Sequence, residues 1–162
     1  MGARAEALAA RIEEGAANLA SYVENLSDAE WKTPVSPERD GRPVNVIVHH
    51  VASVYPIEVQ LAQAVGSGKN MSEVTWAVVT NMNAGHATEN AGVSKADALA
   101  LLKKNSSEAA AAVRQLTDQQ LDTAAPFGLS FDAPVTAQFV IEDHALRHSW
   151  HHLARIRKAL GR

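Results

Sequence analysis

Residues 147–156 read Arg-His-Ser-Trp-His-His-Leu-Ala-Arg-Ile, and this stretch decides the fold. His148 and His152 are four positions apart, so on an α-helix their imidazoles lie on one face, one turn from each other. His144 and His151 fall within the same arc of about 100° on that helix. Two imidazoles at this spacing can bind a single metal ion. The alternative is a cluster of solvated or hydrogen-bonded histidines.

A zinc protease needs a glutamate directly after the first histidine of such a pair, and Ser149 stands there instead. The pair therefore excludes that enzyme class. A third ligand is expected from the adjacent His49 and His50, near the middle of another apolar segment. His50 lies on the inward stripe, whereas His49 points about 100° away from it. We therefore choose His50 as the ligand and expect His49 to flank the site. The stripe consists of Val46, His50, Val54, Ile57, Leu61 and Val65.

The hydrophobic periodicity predicts an all-α protein. The expected helices span residues 3–25, 43–65, 72–90, 95–116 and 136–160. Proline and glycine punctuate the stretches 32–42 and 117–133, which we predict to be loops. Pro56 should kink the second helix, and Ser94 should cap the fourth. The pattern predicts a four-helix bundle in a single domain, residues 1–162, with 72–90 as an extra helical segment in the long connection.

The composition agrees with a helical bundle and narrows the function. Of 162 residues, 46% are hydrophobic and only 5% aromatic, which disfavours a β-sandwich. The net charge of −3 provides no basic surface for nucleic acid. The sequence shows no secretion signal and no apolar run near the roughly 20 residues of a membrane span, so a cytoplasmic protein is expected. Because there is no cysteine, imidazole and carboxylate must hold any metal, and any reactive thiol must come from outside.

A mixed stripe on the segment 72–90 has two interpretations. It consists of Trp76, Val79, Asn83, His86 and Asn90. In one interpretation Asn83 and His86 line the mouth of a substrate pocket. In the other the stripe is exposed, because an unsatisfied buried amide costs about 1–3 kcal/mol. On the last helix, His144 and His151 are expected to orient the ligand imidazoles, and His151 could instead shuttle protons. His86 and His151 are thus candidate catalytic residues.

Two stretches together resemble the DinB/YfiT-like metalloprotein superfamily. The first is Pro43 to Ala52 (PVNVIVHHVA), with Trp31 upstream, and the second is the stretch 147–156. In that family a histidine of the second helix and a His-x-x-x-His pair of the final helix hold a metal ion. The matching positions here are His50, His148 and His152. The family is distinct from the DNA polymerase that shares the DinB name.

The resemblance implies a four-helix bundle in up-down-down-up order, with a long crossover between helices two and three. It also implies a divalent transition metal, usually zinc or nickel, with open coordination positions. Relatives include S-transferases that use bacillithiol or mycothiol, and a mycothiol-dependent maleylpyruvate isomerase. Relatives often form dimers, and the alanine-rich helix faces of this chain would permit a homodimer.

Three imidazole ligands leave a position open, which is typical of a catalytic metal site. The leading hypothesis is a metal-dependent transferase, in which the ion activates an external low-molecular-weight thiol for attack on a small electrophile. The second is a metal-dependent hydrolase or isomerase that uses hydroxide bound to the ion. The third is a stress-related module that binds metal and ligand without turnover. All three expect a small-molecule substrate or ligand, without nucleic acid or membrane.

Overall fold

The computed structural model of the protein describes residues 2–36 and 41–162. Residues 37–40 of the predicted loop 32–42, including Pro37, lie outside the described residues. The helices are α1 (Ala3–Glu24), α2 (Asp28–Trp31), α3 (Val44–Gly66), α4 (Trp76–Glu89), α5 (Lys95–Arg114), α6 (Asp118–Asp122), α7 (Ala137–Val140) and α8 (Arg147–Ala159). A π-helical segment, Ile141–Leu146, joins α7 to α8 without a break. Two short strands, β1 (Ala124–Pro126) and β2 (Pro134–Thr136), flank a 3₁₀ turn, Gly128–Ser130.

Four long helical units form the bundle: α1, α3, α5 and the final unit from α7 to α8. α5 packs between α1 and α3, and the final unit packs against the same two helices from the other side. Arg114, at the end of α5, binds Glu6 near the start of α1 and Glu13 in its first half, so these two helices are antiparallel. Arg157, near the end of α8, lies 5.1 Å from the ring centroid of Tyr22 near the end of α1. The first and last helices are therefore parallel.

α3 continues through Pro56, although proline cannot donate the backbone N–H that the carbonyl of Ala52 would accept. Asn105 on α5 supplies the missing donor, with its Nδ2 at 2.8 Å from the Ala52 oxygen. Asn45, at the start of α3, donates at 2.9 Å to the carbonyl of Ala91, just before α5. α3 and α5 thus run in the same direction. Together with the directions of α1 and α8, this gives the expected up-down-down-up order.

The predicted loop 117–133 is wrong in part, because it contains α6, β1 and the 3₁₀ turn. Thr117 caps α6 in a capping box, and β1 pairs with β2 in an antiparallel ribbon. Elements this short carry too few residues to show a hydrophobic period. Gly128 lies so close to another segment that a Cβ atom would be 2.5 Å from the carbonyl oxygens of Ser72 and Val74. The turn can therefore pack there only with glycine.

α4 occupies the long connection between α3 and α5, as expected for the extra helical segment. It begins at Trp76, four residues later than predicted, and none of its 14 residues is buried. Trp76 anchors its first turn, because the indole Nε1 donates at 3.0 Å to the carbonyl of Leu129. Ser94 caps the following helix by accepting from the backbone N–H of Asp97, as predicted. α4 thus lies on the outside of α3, held by a few polar contacts.

The core between the long helices is largely aliphatic, and α3 is buried along most of its length. The largest fully buried side chains include Tyr55, Phe127, Ile12, Leu19 and Ile47. Within residues 2–36 and 41–162, no helix combines the length and apolar character that crossing a membrane requires.

Candidate metal centre

Three histidines meet between α3 and α8. The ring centroids of His148 and His152 are 4.8 Å apart, and the ring of His50 lies 5.0 Å from His148 and 5.8 Å from His152. Each side chain offers one nitrogen, and these three nitrogens all lie within 4.8 Å of one another. In the described part of the chain, no other group of three or more histidine and acidic side chains meets in this way. The three predicted ligands are therefore brought together.

Burial keeps two of these imidazoles neutral. Desolvation is the main cause that lowers the pKa of His50 to about 2, with smaller contributions from the neighbouring His148 and Arg42. Burial also lowers the pKa of His152 well below its usual value, with a further contribution from His148. The Nδ1 atoms of His50 and His152 are buried and accept or donate no hydrogen bond among the described residues. A neutral imidazole keeps the lone pair that a metal ligand must donate, so the pair fits a metal ion.

Glu58 supports the third histidine. It lies eight residues after His50 on α3, and only 6% of its surface is exposed. Its Oε1 lies 2.5 Å from the Nδ1 of His148. A carboxylate in this place fixes the ring and leaves Nε2 for an ion. The other oxygen, Oε2, is buried and makes no hydrogen bond to the described residues. Because Glu58 is not in the group of three, it orients a ligand and does not add a fourth.

Glu58 was not among the predicted site residues, although the sequence carries a signal for it. It is the one acidic residue in α3, a helix that contains no lysine or arginine. A buried carboxyl group requires a partner, since burying an unpaired charge is costly. Eight residues along a helix correspond to a rotation of only about 80°, so Glu58 lies near the face that carries His50. The sequence thus indicates a buried carboxyl group near His50, and the packing of α8 on α3 supplies its partner.

Ser149 stands where a zinc protease has its glutamate, and it faces the protein interior. The side chain is fully buried, and its hydroxyl hydrogen-bonds the hydroxyl of Tyr55. Burial raises the pKa of Tyr55, so that this phenol stays protonated. The pair fastens α8 to α3 next to the histidines.

His49 and His86 form a second imidazole pair beside His50. The Nδ1 of His49 lies 2.8 Å from the Nε2 of His86, and the two rings stack at 5.0 Å. Burial lowers the pKa of both, so one neutral ring donates to the other. The edge of His86 also meets the ring of His50 at 5.5 Å. His49 therefore flanks the site, and His86 connects α4 to it.

His144 and His151 lie near the group of three without joining it. The ring of His144 packs edge-on against Phe127 at 5.6 Å, and burial lowers its pKa although Glu58 and Asp143 oppose the shift. His151 is exposed, with its ring 5.2 Å from that of His152. Both histidines line a cavity beside the three ligands.

This cavity has a volume of about 410 Å³ and lies between α3, α4 and the final helix. Asn83 lines it together with Trp76 and Val79, whereas His86 does not. The predicted stripe on 72–90 therefore has two environments. Trp76, Val79 and Asn83 line the cavity, whereas His86 contacts His49. The volume is within the range of small-molecule sites, about 300–1,000 Å³.

The fold and this centre together define a helical-bundle protein with a three-histidine cluster that could hold a metal ion. A model of the DinB superfamily matches residues 11–156, and the chain belongs to that superfamily. The resemblance found in the sequence is thereby confirmed.

A solved structure, that of YfiT from Bacillus subtilis, is similar with a TM-score of 0.76 at 21% sequence identity. The match covers 98% of this chain and 87% of YfiT. YfiT is described as a probable metal-dependent hydrolase with an unusual four-helix bundle topology. The likeness confirms the four-helix-bundle fold. No curated protein matches the chain.

Proposed function

We propose that the protein is a metal-dependent enzyme whose His50, His148 and His152 hold a divalent transition metal, with zinc and nickel as the leading candidates. The observation that carries this proposal is the meeting of three imidazole nitrogens within 4.8 Å of one another. Burial keeps the imidazoles of His50 and His152 neutral, so each retains a lone pair that it could donate to an ion. Imidazole donors suit both metals.

A bound ion would supply Lewis-acid chemistry and lower the pKa of a water or thiol at an open position. Glu58 supports a ligand of the ion and gives no preference between water and a thiol as the nucleophile. Its carboxylate holds the Nδ1 of His148, on the side of the ring opposite the Nε2 that is left for an ion, so it would position this ligand. We favour a hydrolase over an isomerase, because the structurally similar YfiT is described as a probable metal-dependent hydrolase.

The second candidate is a transferase that joins an external low-molecular-weight thiol to a small electrophile. The absence of cysteine from the chain favours it, because every thiol in the reaction would then be a substrate. The cavity has room for one small molecule in addition to the nucleophile.

Metal content tests the centre directly. Protein purified without a metal-affinity tag should carry close to one equivalent of transition metal by elemental analysis, and His152→Ala should lose it. His151→Ala is the matched control, because that exposed neighbour is outside the group of three and should leave the metal content unchanged. Trace metal in the wild-type protein, or equal metal in the two variants, would refute the centre.

A paired assay then separates the reaction classes. The metal-loaded protein is given chromogenic esters and amides without thiol, and an aryl halide with several low-molecular-weight thiols. Turnover without thiol that His152→Ala abolishes would support the hydrolase. Turnover that requires a thiol would support the transferase and overturn the hydrolase. Tight binding without turnover on any substrate would overturn both and indicate a metal-containing binding module.

A further inference from the structure

The cavity beside the three histidines has two chemically different ends. α3 and α8 run antiparallel in the up-down-down-up order, and Glu58, eight residues after His50 on α3, reaches His148. Residues after His152 therefore lie at the His50 end of the cavity. Residues before His148 lie at the other end, beside the second half of α3.

The His50 end carries two guanidinium groups. Arg42, just before α3, and Arg155, one turn after His152, both line the cavity and are partly buried. Arg155 also donates to the hydroxyl of Ser36 at 3.3 Å. A guanidinium has five N–H donors, so contacts that it makes elsewhere do not exhaust it. The two arginines also act electrostatically on the histidines. Arg42 contributes to the lowered pKa of His50, and Arg155 contributes to that of His152.

The opposite end is apolar. Leu61 lines it eleven residues after His50, which is about 16 Å farther along the helix axis. The facing wall comes from the α4 side and includes Trp76 and Met82, whose side chains remain 52% and 39% exposed. The two charged residues at this end, Asp143 and Arg147, pair with each other at 3.2 Å. Apolar surface left open in a cavity favours an apolar ligand group.

We propose that the cavity binds a small organic carboxylate with an aliphatic or aromatic body, its acid group against Arg42 and Arg155 and its body along the apolar wall. Arginine suits this task because its planar donors match the two oxygens of a carboxylate. As a statement about the substrate, the inference rests on the proposed function. The preference for an acid, however, requires only the two arginines.

Calorimetric titration with octanoate, butanoate and the neutral octanamide tests the proposal. The titrations use metal-loaded protein and protein stripped with EDTA and then dialysed. Octanoate should bind at least about tenfold tighter than octanamide in both forms, since a charge-assisted hydrogen bond contributes about 1.5–3 kcal/mol. Octanoate should also bind tighter than butanoate, because the longer chain buries more apolar surface. The double variant R42Q/R155Q should lose the acid preference.

The control is Arg157→Gln, because Arg157 is on α8 outside the cavity and should leave all three affinities unchanged. An acid preference that survives in the double variant would overturn the assignment of the arginines. A preference that disappears on removal of the metal would overturn it too, because the ion itself would then bind the acid. Equal affinities for butanoate and octanoate would refute the proposed packing of the ligand body along the apolar wall. Failure of the metal proposal would leave the acid preference of stripped protein intact, so the two failures are distinguishable.

Discussion

Replacement of Glu58 by glutamine tests the support of His148 with little change in volume. The carboxylate oxygen faces the Nδ1 of His148 at 2.5 Å, and the amide of glutamine would keep a neutral hydrogen bond in place of a charge-assisted one. The two kinds of bond differ by about 1–1.5 kcal/mol, which corresponds to roughly tenfold in an equilibrium constant. Supporting residues of metal ligands typically change affinity by about 10- to 100-fold. We therefore expect Glu58→Gln to weaken zinc binding by that factor, with one equivalent still bound at saturation.

Competition with a chromophoric chelator measures this change. Metal-stripped wild type and variant are titrated with zinc at pH 7.5, and circular dichroism verifies that the helix content is unchanged. Glu142→Gln is the matched control. Glu142 is a partly buried acid of the last helix that accepts from Gln138 at 3.0 Å and does not line the cavity. A dissociation constant for Glu58→Gln within twofold of wild type, or an equal loss in the control, would refute the role of Glu58.

Three further predictions concern stability. Asn105→Leu should destabilise the protein by about 1–3 kcal/mol in urea, because it removes the donor that replaces the missing N–H of Pro56. The loss should shrink in a Pro56→Ala background, and equal losses in both would contradict the account. The pKa of His50 is about 2 in the folded chain and 6.5 for an ordinary histidine, so the unfolded chain binds more protons between these values. The free energy of unfolding of metal-free protein should therefore fall as the pH drops below 6.5, by up to about 1.4 kcal/mol per pH unit from this group. Urea unfolding at a series of pH values measures this dependence, and His50→Gln should make it less steep. Gly128→Ala should lower the Tm, because its Cβ would lie 2.5 Å from two backbone carbonyls, and an unchanged thermal transition would disprove this contact.

The long helices were predictable because each carries its own period. Helices were expected at 3–25 and 95–116, and the structure has them at Ala3–Glu24 and Lys95–Arg114. Both agree within two residues because apolar residues recur at helical spacing through each segment. The short elements between 117 and 136 were not predictable in this way. β1 exists because it pairs with β2, and the turn between them exists because Gly128 fits against another segment. Such contacts are tertiary and leave no periodic trace in the local sequence.

In the candidate site, too, contacts within one helix were predictable and contacts between helices were not. His148 and His152 follow from spacing within one helix, and His50 follows from a stripe within another. The role of Glu58 depends on which residues of α3 and α8 lie opposite each other, and this interhelical register is set by packing across the whole core. The same holds for Asn83 and His86, which share a predicted stripe. Asn83 lines the cavity and His86 contacts His49, because the sequence of α4 alone does not determine how this helix packs on α3.

The π-helical segment links the core pattern of the last helix to the placement of its histidines. One row of buried positions in this helix runs at an interval of four, namely Ala137, Ile141, Ala145, Ser149 and Leu153, and further buried residues lie beside it. In an α-helix four residues turn 400°, so such a row drifts by about 40° per step and would leave the core. The i to i+5 hydrogen bonds of Ile141–Leu146 put more residues into one turn and cancel this drift. One extra residue in a turn rotates all later side chains by about 100° about the helix axis. A regular α-helix could therefore not keep both Ala137 and Leu153, at the two ends of the row, in the core. With the segment in place, Ser149 and Leu153 stay in the core while His148 and His152 face His50. The π-helical segment thus keeps this row buried and sets the direction of the two ligand histidines on α8.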